Sequence, residues 1–188
     1  MDFDLSVFPR TKNCTLIDTL DRPKHLTLAE FEALPVTQQE LVFRDKIYRL
    51  EAALYQEEGV FTDADCPFQP THRFSEGVYH RTLVIPPETI VVGKRHAVEH
   101  IVMLISGKCI CVTERGVEEM EGPMTFISPA GEKRVVVSVT ETTWVTIHPT
   151  KETDLDKIEA EVIIAEPERK QHYLQLKHNA ELKRLEEK

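Results

Sequence analysis

His96 and His100 lie in the segment GKRHAVEHIVMLISG (93–107), which also holds Lys94 and runs into an apolar stretch. In an extended strand, residues of equal parity share a face. Lys94, His96, His100, Val102 and Leu104 would then look to one side, and Glu99 and Ile101 to the other. Two imidazoles so placed suit a divalent ion such as iron, manganese, nickel or zinc. Such sites use three or four ligands, and His80, His148 or Glu99 would have to supply the rest. His148 precedes Pro149 at the end of a β-type run, where a strand-end role is the simpler reading. The cations suggest a second chemistry. Lys94, Arg134 and protonated His96 and His100, joined by Arg81 if its strand lies alongside, would suit a carboxylate, a phosphate or a sugar acid. A third reading leaves these side chains at solvent with no specific ligand.

Those residues need a rigid frame. From Val78 to about Pro149, short β-type runs recur about every ten residues. They are VYHRTLVI, TIVVG, HIVMLIS, KCICVTE, MTFIS, RVVVSV and TTWVTIHP, separated by Pro-Pro, Ser-Gly, Arg-Gly, Gly-Pro and Ala-Gly. The pattern predicts an antiparallel sandwich or barrel. No helix-length gap separates the runs, which argues against βαβ units. Residues 1–60 read as an irregular arm followed by helices. Capping-box sequences start at Thr27 and Thr37, and Pro35 ends the first helix. The second helix runs to about Gly59, with Phe43, Ile47, Leu50 and Leu54 on one stripe. Residues 61–76, with Pro67 and Pro70, read as a connecting loop. After Lys151 come a charged segment, a strand-like AEVIIA run and a helix from Pro167. Leu174, His178, Leu182 and Leu185 form a stripe on that helix, suited to docking on the domain body or on another copy. The expected organisation is therefore a helical extension over 1–60, a β-domain over 61–150 and a C-terminal segment over 151–188.

The segment around Gly107 resembles the first motif of the cupin superfamily, G-x5-H-x-H-x3,4-E-x6-G. Gly107 takes the place of the closing glycine, His100 that of the glutamate, His96 that of the second histidine and Lys94 that of the first. GPMTFISPAGEKR (122–134) resembles the second motif, G-x5-P-x-G-x2-H-x3-N. It has one extra residue before Pro129, and Arg134 stands where the histidine is expected. Ile85-Pro86-Pro87 resembles the turn that leads into the first motif. The resemblance spans roughly residues 78–149. It implies a mainly β protein, an antiparallel jelly-roll (cupin-like) barrel with flanking N-terminal and C-terminal helices. Metal-binding members offer three histidines and a carboxylate. Two imidazoles remain here, and Lys94 and Arg134 bring positive charge to the other two places. Two cations near a dication cost several kcal/mol even at an effective dielectric of about 20, so the reading does not favour a bound Fe, Mn, Ni or Zn ion. The overall look is also similar to compact cupin-like proteins carried by tailed bacteriophages.

Composition narrows the function classes. The 188 residues carry a formal net charge of −9, which argues against non-specific binding to nucleic acid. The cysteines at 14, 66, 109 and 111 include no CxxC pair, so a ribbon-type zinc site has no support. The first residues are acidic where a signal peptide is basic, and no apolar run has the length of a membrane span. The expected location is the cytoplasm, or the host cytoplasm or virion for a phage protein. No Gly-rich phosphate loop, GxSxG elbow or HExxH sequence is present, and the reading leans away from an enzyme. The leading expectation is a cupin-like binding or assembly protein, homodimeric, acting through a virion or host protein. Its alternatives are a metal-dependent cupin enzyme (dioxygenase or isomerase) with a reduced ligand set, and a protein that binds a small anion or sugar acid.

Overall fold

The structure, a computed structural model, describes residues 36–62 and 65–187. Along the chain run α1 (Val36–Leu54), β1 (Thr71–Ser75), β2 (Val78–Ile85), β3 (Ile90–Val92), β4 (His100–Ser106) and β5 (Lys108–Thr113). There follow β6 (Gly116–Glu121), β7 (Met124–Ser128), β8 (Arg134–Ser138), β9 (Thr142–Pro149), α2 (Leu155–Val162) and α3 (Pro167–Glu186). They fall into two compact units. Cys66–Ala165 is one, and the residues on either side of it in sequence form the other.

The strands of the first unit make two antiparallel sheets, ordered β1-β2-β9-β4-β7 and β3-β8-β5-β6. The chain passes from one sheet to the other repeatedly, as in a jelly roll, and the architecture is cupin-like. The closed barrel expected from the sequence does not form. Closure needs a continuous hydrogen-bonded ladder around the strands. Among the described residues no ladder joins the two sheets, so β1, β7, β3 and β6 are edges. Gly107 makes one of the passages, from β4 to β5, at φ +94°. A Cβ there would meet Thr142 Cα at 2.7 Å, so only glycine fits both the dihedral and the space.

Register explains how the larger sheet positions a site. Beyond the buried Ile85–Thr142 pair, its inner face carries three further rows of side chains, because directly paired residues share a face. Leu83, Trp144, Leu104 and Met124 form an apolar row, which packs on Cys109, Cys111, Met120 and Val136 of the smaller sheet. Next to it run His72, Arg81, Thr146, Val102 and Phe126. The third row mixes aromatic and polar side chains: Phe74 pairs with Tyr79, Tyr79 with His148, and His100 with Ser128. One end of the sandwich is therefore dry, and the other carries imidazoles.

Three sequence readings need adjustment. THRFS (71–75), read as loop, is edge strand β1, and GVEEME (116–121), not read as a strand, is edge strand β6. Of the strand-like AEVIIA run (160–165), the first three residues end α2, while Ile163 and Ile164 pair in extended form with the stretch at His96. Asp154 caps this helix by accepting from the Asp156 and Lys157 amides, and Ile158 and Val162 pack one turn apart against Tyr79. In the second unit, the predicted stripe of α3 faces outward, with Leu174, Leu182 and Leu185 exposed. Tyr173 is the buried residue, stacking on Tyr55 at 5.0 Å and donating its hydroxyl to the Tyr48 carbonyl at 3.1 Å. The predicted helix ending at Pro35, with its cap at Thr27, lies outside the described residues.

A three-imidazole candidate metal centre

His100 opens β4 and His148 lies near the end of β9, both on the inner face and both buried. His96 stands ahead of β4, in a segment fastened on two sides. The Gly131 amide donates to its carbonyl at 2.7 Å. The chain leaving α2 pairs with the same stretch: His96 bridges Ile163, the Ala97 amide donates to the Val162 carbonyl at 2.7 Å, and the Ile164 amide donates to the Arg95 carbonyl at 2.9 Å. Ring centroids are 4.2 Å apart for His96–His100, 4.5 Å for His100–His148 and 4.9 Å for His96–His148. One nitrogen from each ring lies within 4.8 Å of the other two.

Burial is the first cause of the low proton affinity of all three rings. His96 falls to about 3, through burial and then the charges of His100, His148, Arg81 and Arg134. His148 falls to about 4, through burial, His100 and Arg81. His100 is also lowered by burial, opposed by its bond to the Val98 carbonyl. Burial thus favours the neutral form of all three, the form that ligates a metal. His100 Nδ1 lies 3.3 Å from the Val98 carbonyl, which favours the tautomer with a free Nε2 lone pair. His96 Nδ1 and His148 Nδ1 are buried without a hydrogen-bond partner. Buried polar atoms are seldom left so.

The cations around the triad are mostly engaged. Lys94 lies ahead of β4, outside the strand on which the parity argument relied, and its Nζ contacts Glu159 at 2.8 Å. Arg134 opens β8 and pairs with the buried carboxylate of Glu132, which also takes Arg115 at 2.5 Å. Its guanidinium donates to Ser128 Oγ at 3.2 Å and lies over Phe126 and Trp144. The structure thus gathers His96, His100 and His148, sets Arg134 on the neighbouring wall and directs Lys94 to Glu159. Cys109 and Cys111 are pushed up by burial to about 11 and about 12, so they remain protonated thiols of the core.

His148 and Glu132 are the residues that sequence reasoning undervalued. His148 shares its parity with Trp144 and Thr146 in TTWVTIHP, which signals an inner-face position. Its neighbours depend on the β4–β9 pairing, which local sequence does not display.

The three imidazoles fit a divalent ion. A point within about 2.8 Å of all three nitrogens follows from their spacing, and a small inward shift reaches the usual metal–nitrogen distance of about 2.1 Å. Two orphaned ring nitrogens and the neutral rings agree with that use, and the carboxylate of Glu132 offsets the charge of Arg134.

No protein-family model matches the chain, and no curated protein matches it. Solved structures with partial likeness include a cupin domain from Bordetella pertussis Tohama I, at 23% identity and a TM-score of 0.37 over 44% of this chain and 93% of that one. A cupin superfamily protein from Desulfitobacterium hafniense matches at 10% and 0.38, over 43% and 77% of the two chains. KdgF from a Halomonas species matches at 10% and 0.42, over 52% and 94%. At these values the cupin-like architecture rests on the strand order and register of this chain.

Proposed function

We propose that the chain is a metal-dependent cupin-type enzyme, of the dioxygenase or isomerase kind, with a ligand set reduced to His96, His100 and His148. The observation that carries this reading is the approach of three neutral imidazole nitrogens to within 4.8 Å of one another inside a β-sandwich. A divalent ion held there would supply Lewis acidity at positions the protein leaves open. The residues of the chain orient and shelter it. The Val98 carbonyl sets the tautomer of His100, α2 covers Tyr79 beside His148, and Glu132 holds Arg134 against the aromatic wall.

The test is elemental analysis of untagged protein purified without chelators. About one equivalent of Fe, Mn, Ni or Zn per chain is expected, with His100→Ala and His148→Ala each losing most of it. Equal metal content in wild type and both variants would sink the reading.

The sequence also supports an assembly role with a virion or host protein in a phage setting, and a homodimer. The exposed Leu174, Leu182 and Leu185 of α3 favour a second contact surface, and sedimentation equilibrium would measure it. Among the described residues no helix is long and apolar enough to cross a membrane.

A further inference from the structure

We propose that Arg81 and Thr146 anchor the carboxylate of a small organic acid beside the imidazole triad. The inference deepens the metal-centre reading and rests on it only for what meets the other end of the acid.

Arg81 sits directly across the ladder from Thr146, and His72 lies directly across from Arg81 on its other side. All three belong to the inner row that adjoins the row of His148 and His100. Among the described residues no carboxylate pairs with Arg81, although it is half-buried. The nearby acid is taken: Glu159, whose charge reaches Tyr79, contacts Lys94 at 2.8 Å. His72 is taken too, its Nδ1 lying 2.7 Å from the Tyr79 hydroxyl. Thr146 is 5% exposed, and its hydroxyl has no hydrogen-bond partner. A half-buried guanidinium without a counter-charge, next to a buried hydroxyl without a partner, is incomplete as a structural element. Arginine presents a planar fork that matches a carboxylate, and a threonine hydroxyl beside it adds a third donor. The positive charge of Arg81 also reaches His96 and His148, which places the anchored group next to the triad.

An acid so bound would carry its remaining atoms toward the imidazoles. Arg134 does not compete for it, because Glu132 already neutralises that guanidinium. One end of the ligand would thus be set by Arg81 and Thr146, and the other by whatever the three histidines hold.

The test uses the full chain, zinc-loaded and EDTA-treated, with acetate, lactate and gluconate as probes and lactamide as the uncharged control. Calorimetry is expected to show carboxylate binding, with lactamide weaker by about tenfold or more. Arg81→Gln should weaken lactate about tenfold and Thr146→Val a few-fold, while Arg81→Lys retains part of the affinity. Zinc content should be the same in all of them. Unchanged lactate affinity in both Arg81→Gln and Thr146→Val, or no carboxylate binding by the wild type, overturns the anchor. Circular dichroism identifies any variant that fails to fold, and Thr146→Val, nearly isosteric, then decides. Carboxylate binding that depends on Arg81 in a protein unable to hold zinc would keep the anchor and remove the metal centre. Zinc held with no such dependence would do the reverse.

Discussion

The imidazole planes of His96 and His148 are 3° from parallel, with centroids 4.9 Å apart, and each ring has a buried Nδ1 with no partner. His96 stands ahead of β4 and His148 near the end of β9, so only the tertiary fold brings them together. Two buried ring nitrogens without partners are costly unless something uses them. That relationship motivates the first two predictions.

Replacing His148 by alanine should lower the affinity for zinc by more than about tenfold and leave the fold intact, since two of three ligands remain. Competition with a fluorescent zinc chelator measures it. A His80→Ala control, outside the cluster, should bind zinc as the wild type does.

The pH dependence of stability has a definite sign. His96 and His148 titrate at about 3 and about 4 when folded, against about 6.5 in the unfolded chain. The unfolded state therefore binds more protons between those limits. Their contribution to stability is fully present above about pH 6.5 and is lost progressively as pH falls toward 4 and then 3. Urea midpoints of chelator-treated protein should drop between pH 7 and pH 5. A His96→Gln, His148→Gln double variant should flatten that drop, and an unchanged slope would count against the buried neutral rings.

Glu132 is 3% exposed in its side chain and holds Arg134, itself 12% exposed. Glu132→Ala should destabilise the protein by about 3 kcal/mol, because it strands a guanidinium against Phe126 and Trp144. Arg115→Ala, removing the exposed partner at 57%, should cost under about 1 kcal/mol. Chemical denaturation of the two variants gives the comparison.

Gly107→Ala should cost at least about 2 kcal/mol, since it combines a left-handed backbone with a Cβ that has no room. Gly77→Ala, at φ +74° in open space, should cost about 1 kcal/mol. Thermal melts would rank them, and a reversed order would contradict the packing at the β4–β5 corner.

The strands legible in the sequence were those with a buried face. VYHRTLVI, HIVMLIS, MTFIS and TTWVTIHP coincide with β2, β4, β7 and β9, because β-branched and aromatic residues supply the inner face. THRFS and GVEEME escaped since edge strands with polar or charged side chains lack that signature. AEVIIA misled only in its first half, where Ala160–Val162 complete the helix that Asp154 caps, and Ile163 and Ile164 then pair in extended form with the His96 stretch. At the site, His96 and His100 were visible through their spacing. His148 joined them only through strand pairing. The parity rule applies to neither Lys94 nor His96, because the strand begins at His100; His96 reaches the cluster through its bridge to Ile163 and its bond to the Gly131 amide.

The carboxylate shared by Arg134 and Arg115 links the arginine that lies over Phe126 and Trp144 to the tip of the β5–β6 hairpin, where Arg115 meets solvent. A molecule that grips that tip by withdrawing Arg115 would leave Glu132 to Arg134 alone. The hairpin tip and the aromatic contact of Arg134 are thus coupled through one buried carboxylate.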